Sequence, residues 1–238
     1  MTESKLLLFD VDGTLTEPRK KITSEMKDIL YNLRKRYILA IVGGSDLDKI
    51  REQLGTTLFD DFDYIFTENG TTAYKNSTLI NQTSITQHIG EIDSFIKYCQ
   101  NYISNLNLPF KRETFIEIRN GMINISPVGR TCTSKERDEF ELYDNKEKIR
   151  ETMIQNLQNK FSDLNLDFLI GGQISFDVFP KGWDKTYCLR FLEQYSTIHF
   201  FGDKTSPGGN DHALYINPKV TGFHVDSYHD TMKLLTKY

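Results

Sequence analysis

Two carboxylates one residue apart, Asp10 and Asp12, stand at the end of the apolar run Leu6-Leu7-Leu8-Phe9 and are followed at once by Gly13-Thr14. A buried strand normally ends before acidic residues, so carboxylates at its mouth beside a glycine turn suit metal-assisted chemistry on a phosphate. An Asp-rich turn closing a strand is the plainer reading of that stretch alone. A second cluster lies mid-chain, where Arg119, Arg130 and Arg137 recur around a hairpin pattern and Ser175 and Asp177 follow in Gly171-Gly-Gln-Ile-Ser-Phe-Asp-Val-Phe-Pro180. A single surface arginine is usually only solvated. Several together, with hydroxyl and carboxylate partners, fit a pocket for a phosphorylated sugar, because guanidinium forks grip a phosphate while Ser and Asp bond sugar hydroxyls.

These groups act together only if the chain brings them together, and the patterning predicts how. After the first strand, Thr23 is placed to cap a helix over 24–36 with Met26, Ile29, Leu30 and Leu33 on one face. A strand over Tyr37–Val42 runs into Gly43-Gly44-Ser45, where Ser45 is the expected N-cap of a helix over 46–54, and a strand over 63–67 follows. Strand and helix alternating in short periods predict right-handed crossovers and a parallel sheet. Ligands of such sheets sit beyond the carboxyl ends of the strands, where Asp10, Asp12 and Ser45 all fall.

From about residue 82 the texture changes. One amphipathic helix is expected over 85–106, with Ile85, Ile89, Ile92, Ile96 and Cys99 as its stripe. Alternation on both sides of Asn120-Gly121 predicts an antiparallel hairpin over 114–126. A helix over 146–161 and an extended stretch over 167–179 complete this part. The parallel pattern then resumes with a helix from Lys185 to about Tyr195, a strand at 198–202 with Asp203 at its mouth, and a helix, strand, helix series at 211–215, 220–225 and 230–238. The expected fold class is α/β: a Rossmann-like, parallel-sheet core over residues 1–81 and 185–238, interrupted at 82–184 by an α+β cap domain with an antiparallel sheet.

Composition narrows the function classes. The 238 residues carry a net charge of -4 at neutral pH, which gives no whole-chain attraction to nucleic acid or anionic membrane. No apolar run reaches membrane-spanning length and the first residues lack a signal-peptide pattern, so neither a membrane nor a nucleic-acid partner is expected, and the expected compartment is reducing and cytoplasmic. Cys99, Cys132 and Cys188 are too scattered for a disulfide framework or a metal knuckle and are read as structural.

Four motifs in order resemble the haloacid dehalogenase superfamily: Asp10-Val-Asp12-Gly-Thr its nucleophile loop, Ser45 its phosphate-binding hydroxyl, Lys185 its phosphate-binding lysine, and Gly202-Asp203 with Gly209-Asn210-Asp211 its acidic metal loop. The chemistry is coherent residue by residue. A carboxylate that attacks phosphorus forms an aspartyl phosphate and divides one transfer into two. Mg2+ held by Asp10 and Asp203, with Asp12 contributing through its backbone carbonyl, relieves repulsion between that anion and the phosphoryl oxygens. Ser45 and Lys185 hold the same oxygens by hydrogen bond and charge. Asp12, two residues on, reaches the bridging oxygen and shuttles the proton of the leaving hydroxyl.

The longer segments Phe9 to Thr16, Phe115 to Met122, Ser126 to Arg130, Gly171 to Trp183 and Phe200 to Asp211 closely resemble the eukaryotic-type phosphomannomutase family across essentially the whole chain. The resemblance implies Asp10 as phosphoryl acceptor and Asp12 as acid/base. It implies Arg19, Arg119, Arg130 and Arg137 as phosphate and sugar contacts, and Ser175 and Asp177 as hydroxyl contacts. It also implies a hexose 1,6-bisphosphate activator, a cytosolic homodimer joined through the cap, and a product that supplies GDP-mannose synthesis. Where the family surrounds a second, structural cation with an aromatic residue, an Asp and a Thr, this chain has Tyr215, Asn217 and Val220, so one carboxylate is missing. A sugar phosphatase built on the same core, or a mutase with substantial activity on glucose phosphates, is the alternative reading of these residues.

Overall fold

The computed structural model describes residues 5–88 and 92–238. The four-residue apolar run forms β1 (Leu6–Phe9), buried on both faces as a central parallel strand must be. It leads to α1 (Ser24–Leu33), whose N-cap Thr23 accepts from the Met26 N–H and whose Met26, Leu30 and Leu33 are buried. Next come β2 (Ile38–Val42), α2 (Leu47–Leu54), the single turn α3 (Leu58–Asp61), β3 (Tyr64–Thr67), β4 (Thr72–Lys75) and β5 (Thr78–Gln82). The middle of the chain forms α4 (Ile85–His88), α5 (Ile92–Asn105), β6 (Ile116–Ile118), β7 (Ile123–Ile125), α6 (Ser134–Glu147), α7 (Ile149–Lys160), β8 (Leu166–Gly171) and β9 (Ser175–Pro180). The chain closes with β10 (Ile198–Gly202), α8 (His212–Tyr215), β11 (Thr221–His224) and α9 (Tyr228–Leu235).

These elements fall into two units, residues 1–83 with 183–238, and residues 84–182. The first holds a seven-stranded sheet in the order β11-β10-β1-β2-β3-β4-β5. β11 through β3 are parallel and β4 and β5 are antiparallel. In register, Phe9 lies between Phe201 and Ile41, so the carboxyl ends of β1, β2 and β10 are level. Leu7, Phe9, Leu39 and Ile41 face the core formed with α1 and α2, and Leu6, Leu8, Ala40 and Val42 face the opposite core with Cys188, Leu189 and Leu214. The second unit holds a four-stranded antiparallel sheet in the order β6-β7-β9-β8. Among the described residues no helix is long and apolar enough to cross a membrane.

Several expectations needed correction. Asp46, not Ser45, caps α2: its extended backbone lets the carboxylate accept from the Lys49 N–H at 2.9 Å, and an anion at a helix N-terminus is favoured by the dipole. The Ser45 carbonyl is meanwhile held by the Glu68 N–H at 3.0 Å. The single helix over 85–106 is described as α4 and α5; Ile89 of its stripe lies outside the described residues. On α5 the buried positions are Phe95, Cys99 and Ile103, while Ile92 and Ile96 are half-buried. The helix expected over 146–161 is broken at Lys148, which adopts φ 56 and ψ 37, and a separate helix, α6, precedes it. The run from Lys185 is a 3-10 helix that ends at Phe191.

The break at Lys148 has an electrostatic reason. Asp144 Oδ1 accepts from the Arg150 N–H at 2.9 Å and Oδ2 from Arg150 Nε at 2.6 Å, and both side chains are buried. The same guanidinium donates through Nη1 to the carbonyls of Gly172 and Ser175, at 3.0 and 2.9 Å, and so ties the α6–α7 corner to the β8–β9 turn. Removing one partner of a buried, hydrogen-bonded pair strands the other charge in a poorly solvated site. Asp144→Ala is therefore expected to destabilise the protein by about 3–5 kcal/mol in a urea titration.

Candidate active site

The first unit assembles its chemistry at the level carboxyl ends of β1 and β10. The Asp10 N–H donates to the Phe201 carbonyl at 2.9 Å, which continues the strand register by one residue and sets Asp10 beside the loop after β10. The chain then turns at once: the N–H groups of Leu15 and Thr16 return to the Val11 carbonyl, and the Gly13 N–H donates to Thr16 at 2.8 Å. Gly13 has φ +84, and a Cβ there would stand 2.6 Å from Asp203 Oδ2. A Cβ on Gly202 would likewise stand 2.7 Å from Asp211 Oδ2. Glycine at both positions lets two carboxylates close on the Asp10 loop.

Asp10, Asp203 and Asp211 each offer an oxygen within 4.8 Å of the others. Lys185, at the start of the 3-10 helix, is buried and reaches this cluster: Nζ bonds Asp10 Oδ1 and also Asp211 Oδ1, the latter at 2.7 Å. Its helix is started by Asp184, which accepts from the Thr186 N–H at 2.8 Å. Asp211 Oδ2 accepts from the Lys204 N–H at 3.0 Å, which fixes its carboxylate. Burial works against the Lys185 ammonium, yet Asp10 and Asp211 outweigh it and hold its affinity for a proton above that of an ordinary lysine. Burial pushes the Asp10 carboxyl up to about 8, with Lys185 opposing and Asp211 and Asp203 adding to the rise. Asp203 is raised mainly by burial, with the Lys204 ammonium opposing.

Three carboxylates against the Lys185 ammonium and the exposed Lys204 ammonium, which lies 3.4 Å from Asp203 Oδ2, leave a formal −1 in this cluster, since −3 and +2 sum to −1. Such an excess must be met by proton uptake or by a cation. A hard divalent cation suits such a set of carboxylate oxygens. Asp10, Asp203 and Asp211 would hold it, and when bound it would supply Lewis-acid charge stabilisation at the phosphoryl oxygens. Titration with magnesium chloride is expected to raise the melting temperature. Asp203→Asn is expected to shrink that rise, which differential scanning fluorimetry would register.

Asp12 Oδ1 accepts from the Arg19 N–H and from Gln53 Nε2, each at 2.7 Å. Arg19 itself has φ 63 and an exposed side chain. Ser45 lies in the loop between β2 and α2, and Asp46 takes over the capping that would have engaged its hydroxyl. Tyr215 ends α8, and Asn217 and Val220 lie in the turn before β11, where the Val220 N–H donates to the Asn217 carbonyl and Asn217 Oδ1 accepts from the Lys219 N–H at 3.0 Å. The three free cysteines are buried, and burial pushes the Cys99 thiol up to about 12.

The second unit holds the remaining predicted residues: Arg119 just after β6, Arg130 in the loop after β7, Arg137 on α6, and Ser175 and Asp177 on β9. Glu117 Oε2 joins Arg119 Nη2 at 3.1 Å and Arg130 Nε at 2.7 Å. Asn124 is buried between strands: its amide donates to Ser175 Oγ at 3.1 Å and Asp177 Oδ1 at 2.6 Å, and its Oδ1 accepts from Arg130 Nη1. The register pairs Asn124 directly with Asp177. Arg137 donates to the Arg130 carbonyl at 2.7 Å and the Cys132 carbonyl at 3.2 Å. Burial raises the Asp177 carboxyl, while Asn124, Arg119 and Arg130 pull it down.

Sequence reasoning missed Gln53, Glu117 and Asn124, and placed Asp211 in a motif without assigning it a role. For Asn124 a signal existed, a polar residue flanked by Ile123 and Ile125 on the strand after Asn120-Gly121. Gln53 carried none, since a Gln on a helix is ordinarily a solvated residue.

Comparison with known proteins identifies the family of the chain. The family profile described as eukaryotic phosphomannomutase matches residues 26–238. The chain is 55% identical to a phosphomannomutase of Solanum lycopersicum over 230 residues, covering 96% of this chain and 91% of that one. It is 55% identical to a phosphomannomutase of Arabidopsis thaliana over 229 residues, covering 95% and 93%. Among solved structures, a trehalose-6-phosphate phosphatase related protein superposes with a TM-score of 0.62 at 17% identity, over 98% of this chain and 96% of the other, a likeness of haloacid dehalogenase fold.

Proposed function

The chain belongs to the eukaryotic phosphomannomutase family, and we propose that it interconverts mannose 6-phosphate and mannose 1-phosphate through a phosphorylated Asp10 and a hexose 1,6-bisphosphate. Asp10 attacks phosphorus as the ester bond to the sugar oxygen breaks, and Asp12 delivers a proton to that oxygen. In the reverse sense Asp12 takes the proton from the other sugar hydroxyl as it attacks the aspartyl phosphate, and Asp10 is released. Lys185 and Ser45 neutralise and hydrogen-bond the phosphoryl oxygens during both transfers. Mg2+ is the cation that the acidic cluster favours, and hexose 1,6-bisphosphate is the activator that first phosphorylates Asp10.

The observation that carries this reading is the guanidinium cluster of Arg119 and Arg130 in a unit other than the one that holds Asp10. A phosphatase needs to grip only the phosphate it removes. A mutase must hold one phosphate while transferring the other, and then exchange them, so a second set of phosphate-binding groups is expected. In this reading residues 84–182 are a cap domain, with Arg119, Arg130, Arg137, Ser175 and Asp177 as its substrate contacts and Arg19 as a contact from the catalytic unit. Excluding water by the cap protects the aspartyl phosphate from hydrolysis. The same reading gives a cytoplasmic homodimer joined through its caps, whose product supplies GDP-mannose synthesis.

With mannose 1-phosphate, Mg2+ and a trace of hexose 1,6-bisphosphate, mannose 6-phosphate is expected to accumulate with little free phosphate. Stoichiometric phosphate without the isomer would establish a phosphatase instead. Asp10→Asn is expected to abolish turnover with an unchanged circular dichroism spectrum, and retained turnover would exclude the covalent route.

A further inference from the structure

Gln53 occupies the last turn of α2, on the face whose neighbours Ile50 and Leu54 are buried, and it is 8% exposed. A carboxamide in such a place costs free energy unless its polar atoms find partners. Its Nε2 donates to Asp12 Oδ1 at 2.7 Å and to Thr16 Oγ1 at 3.3 Å. The Arg19 N–H reaches the same Asp12 oxygen, also at 2.7 Å, from a backbone held at φ 63. Two donors from separate segments thus converge on Oδ1, while Oδ2 makes no hydrogen bond among the described residues. Packing alone gives no reason for an amide here, because methionine would fill the same volume without a polar group to desolvate.

We propose that Gln53 is a positioning residue for proton transfer: by holding Asp12 Oδ1 against the Thr16 turn, it fixes the carboxylate plane and presents Oδ2 to the sugar oxygen. The inference rests on the acid/base role proposed above for Asp12. One backbone donor alone leaves the carboxylate free to turn about its own bond, whereas two donors in different directions define the plane. The rigid anchor is α2 itself, since the Gln53 carbonyl also accepts the Ile22 N–H at 2.9 Å.

The test compares wild type, Gln53→Met, Asp12→Asn and the double variant in steady-state kinetics, with mannose 1-phosphate as substrate, Mg2+ and a trace of hexose 1,6-bisphosphate. Gln53→Met is expected to lower kcat by about tenfold or more, part of the ~10²–10⁴ that positioned acid–base groups supply, with KM changed less than about twofold. The double variant should be no slower than Asp12→Asn, because orientation has no value once the carboxylate is gone. Losses that multiply in the double variant, or a normal kcat in Gln53→Met, would overturn the inference. Should Gln53→Met fail to fold, Gln53→Glu keeps the length and replaces the donor by an acceptor, with the same loss expected and the same overturning result. Full turnover in Asp12→Asn would instead sink the acid/base reading beneath it, an outcome distinct from silent Gln53 variants beside an inactive Asp12→Asn.

Discussion

Everything at the catalytic end of the sheet depends on one buried ammonium. Lys185 Nζ lies against Asp10 and Asp211, with Asp203 within reach of both, in a place where water is largely excluded. Lys185 and the exposed Lys204 together do not balance three carboxylates, and the remaining negative charge favours a cation in the cluster. A phosphate dianion could not approach the bare carboxylates alone. Beside an ammonium and a divalent cation it can, which is the electrostatic condition for a carboxylate to act as a nucleophile toward phosphorus.

The scaffold serves that condition by bringing distant residues to one level. β1 and β10 are adjacent parallel strands in direct register, so residues far apart in sequence, Asp10 and Asp203, leave the sheet side by side. Gly13 and Gly202 then remove the Cβ atoms that would hold Asp203 and Asp211 away. The apolar layers on either face of the sheet hold these strand ends in place with side chains such as Phe9 and Phe201, whose rings stack at 5.0 Å. Catalytic geometry here is a property of strand register more than of any loop.

The second unit follows a different logic. Its arginines are not left as free charges: Glu117 spans Arg119 and Arg130, and Asn124 links Arg130 to Ser175 and Asp177 across β7 and β9. A network of this kind orders several long side chains without any ligand. The Asp144–Arg150 pair extends the same ordering to the β8–β9 turn, since its guanidinium holds the carbonyls of Gly172 and Ser175.

Much of this was legible in the sequence. The spacing of Asp10 and Asp12 after an apolar run, the hairpin at Asn120-Gly121, the Thr23 cap and the alternation of strand and helix are local signals that local physics enforces, and the structure keeps them. Where local signals competed, prediction slipped: Asp46 outbid Ser45 as a cap, and a left-handed Lys148 split a helix because a buried Asp144–Arg150 pair made the corner favourable. The antiparallel β4 and β5 at the sheet edge had no prediction at all. The sequence by itself determined which residues could do phosphoryl chemistry, because residue type and local spacing set chemical capacity. Only the tertiary structure decided that Asp211 joins Asp10, that Glu117 and Asn124 bind the arginine cluster together, and that Gln53 reaches Asp12. Those partnerships depend on distances between segments far apart along the chain, and such distances are set by packing and register.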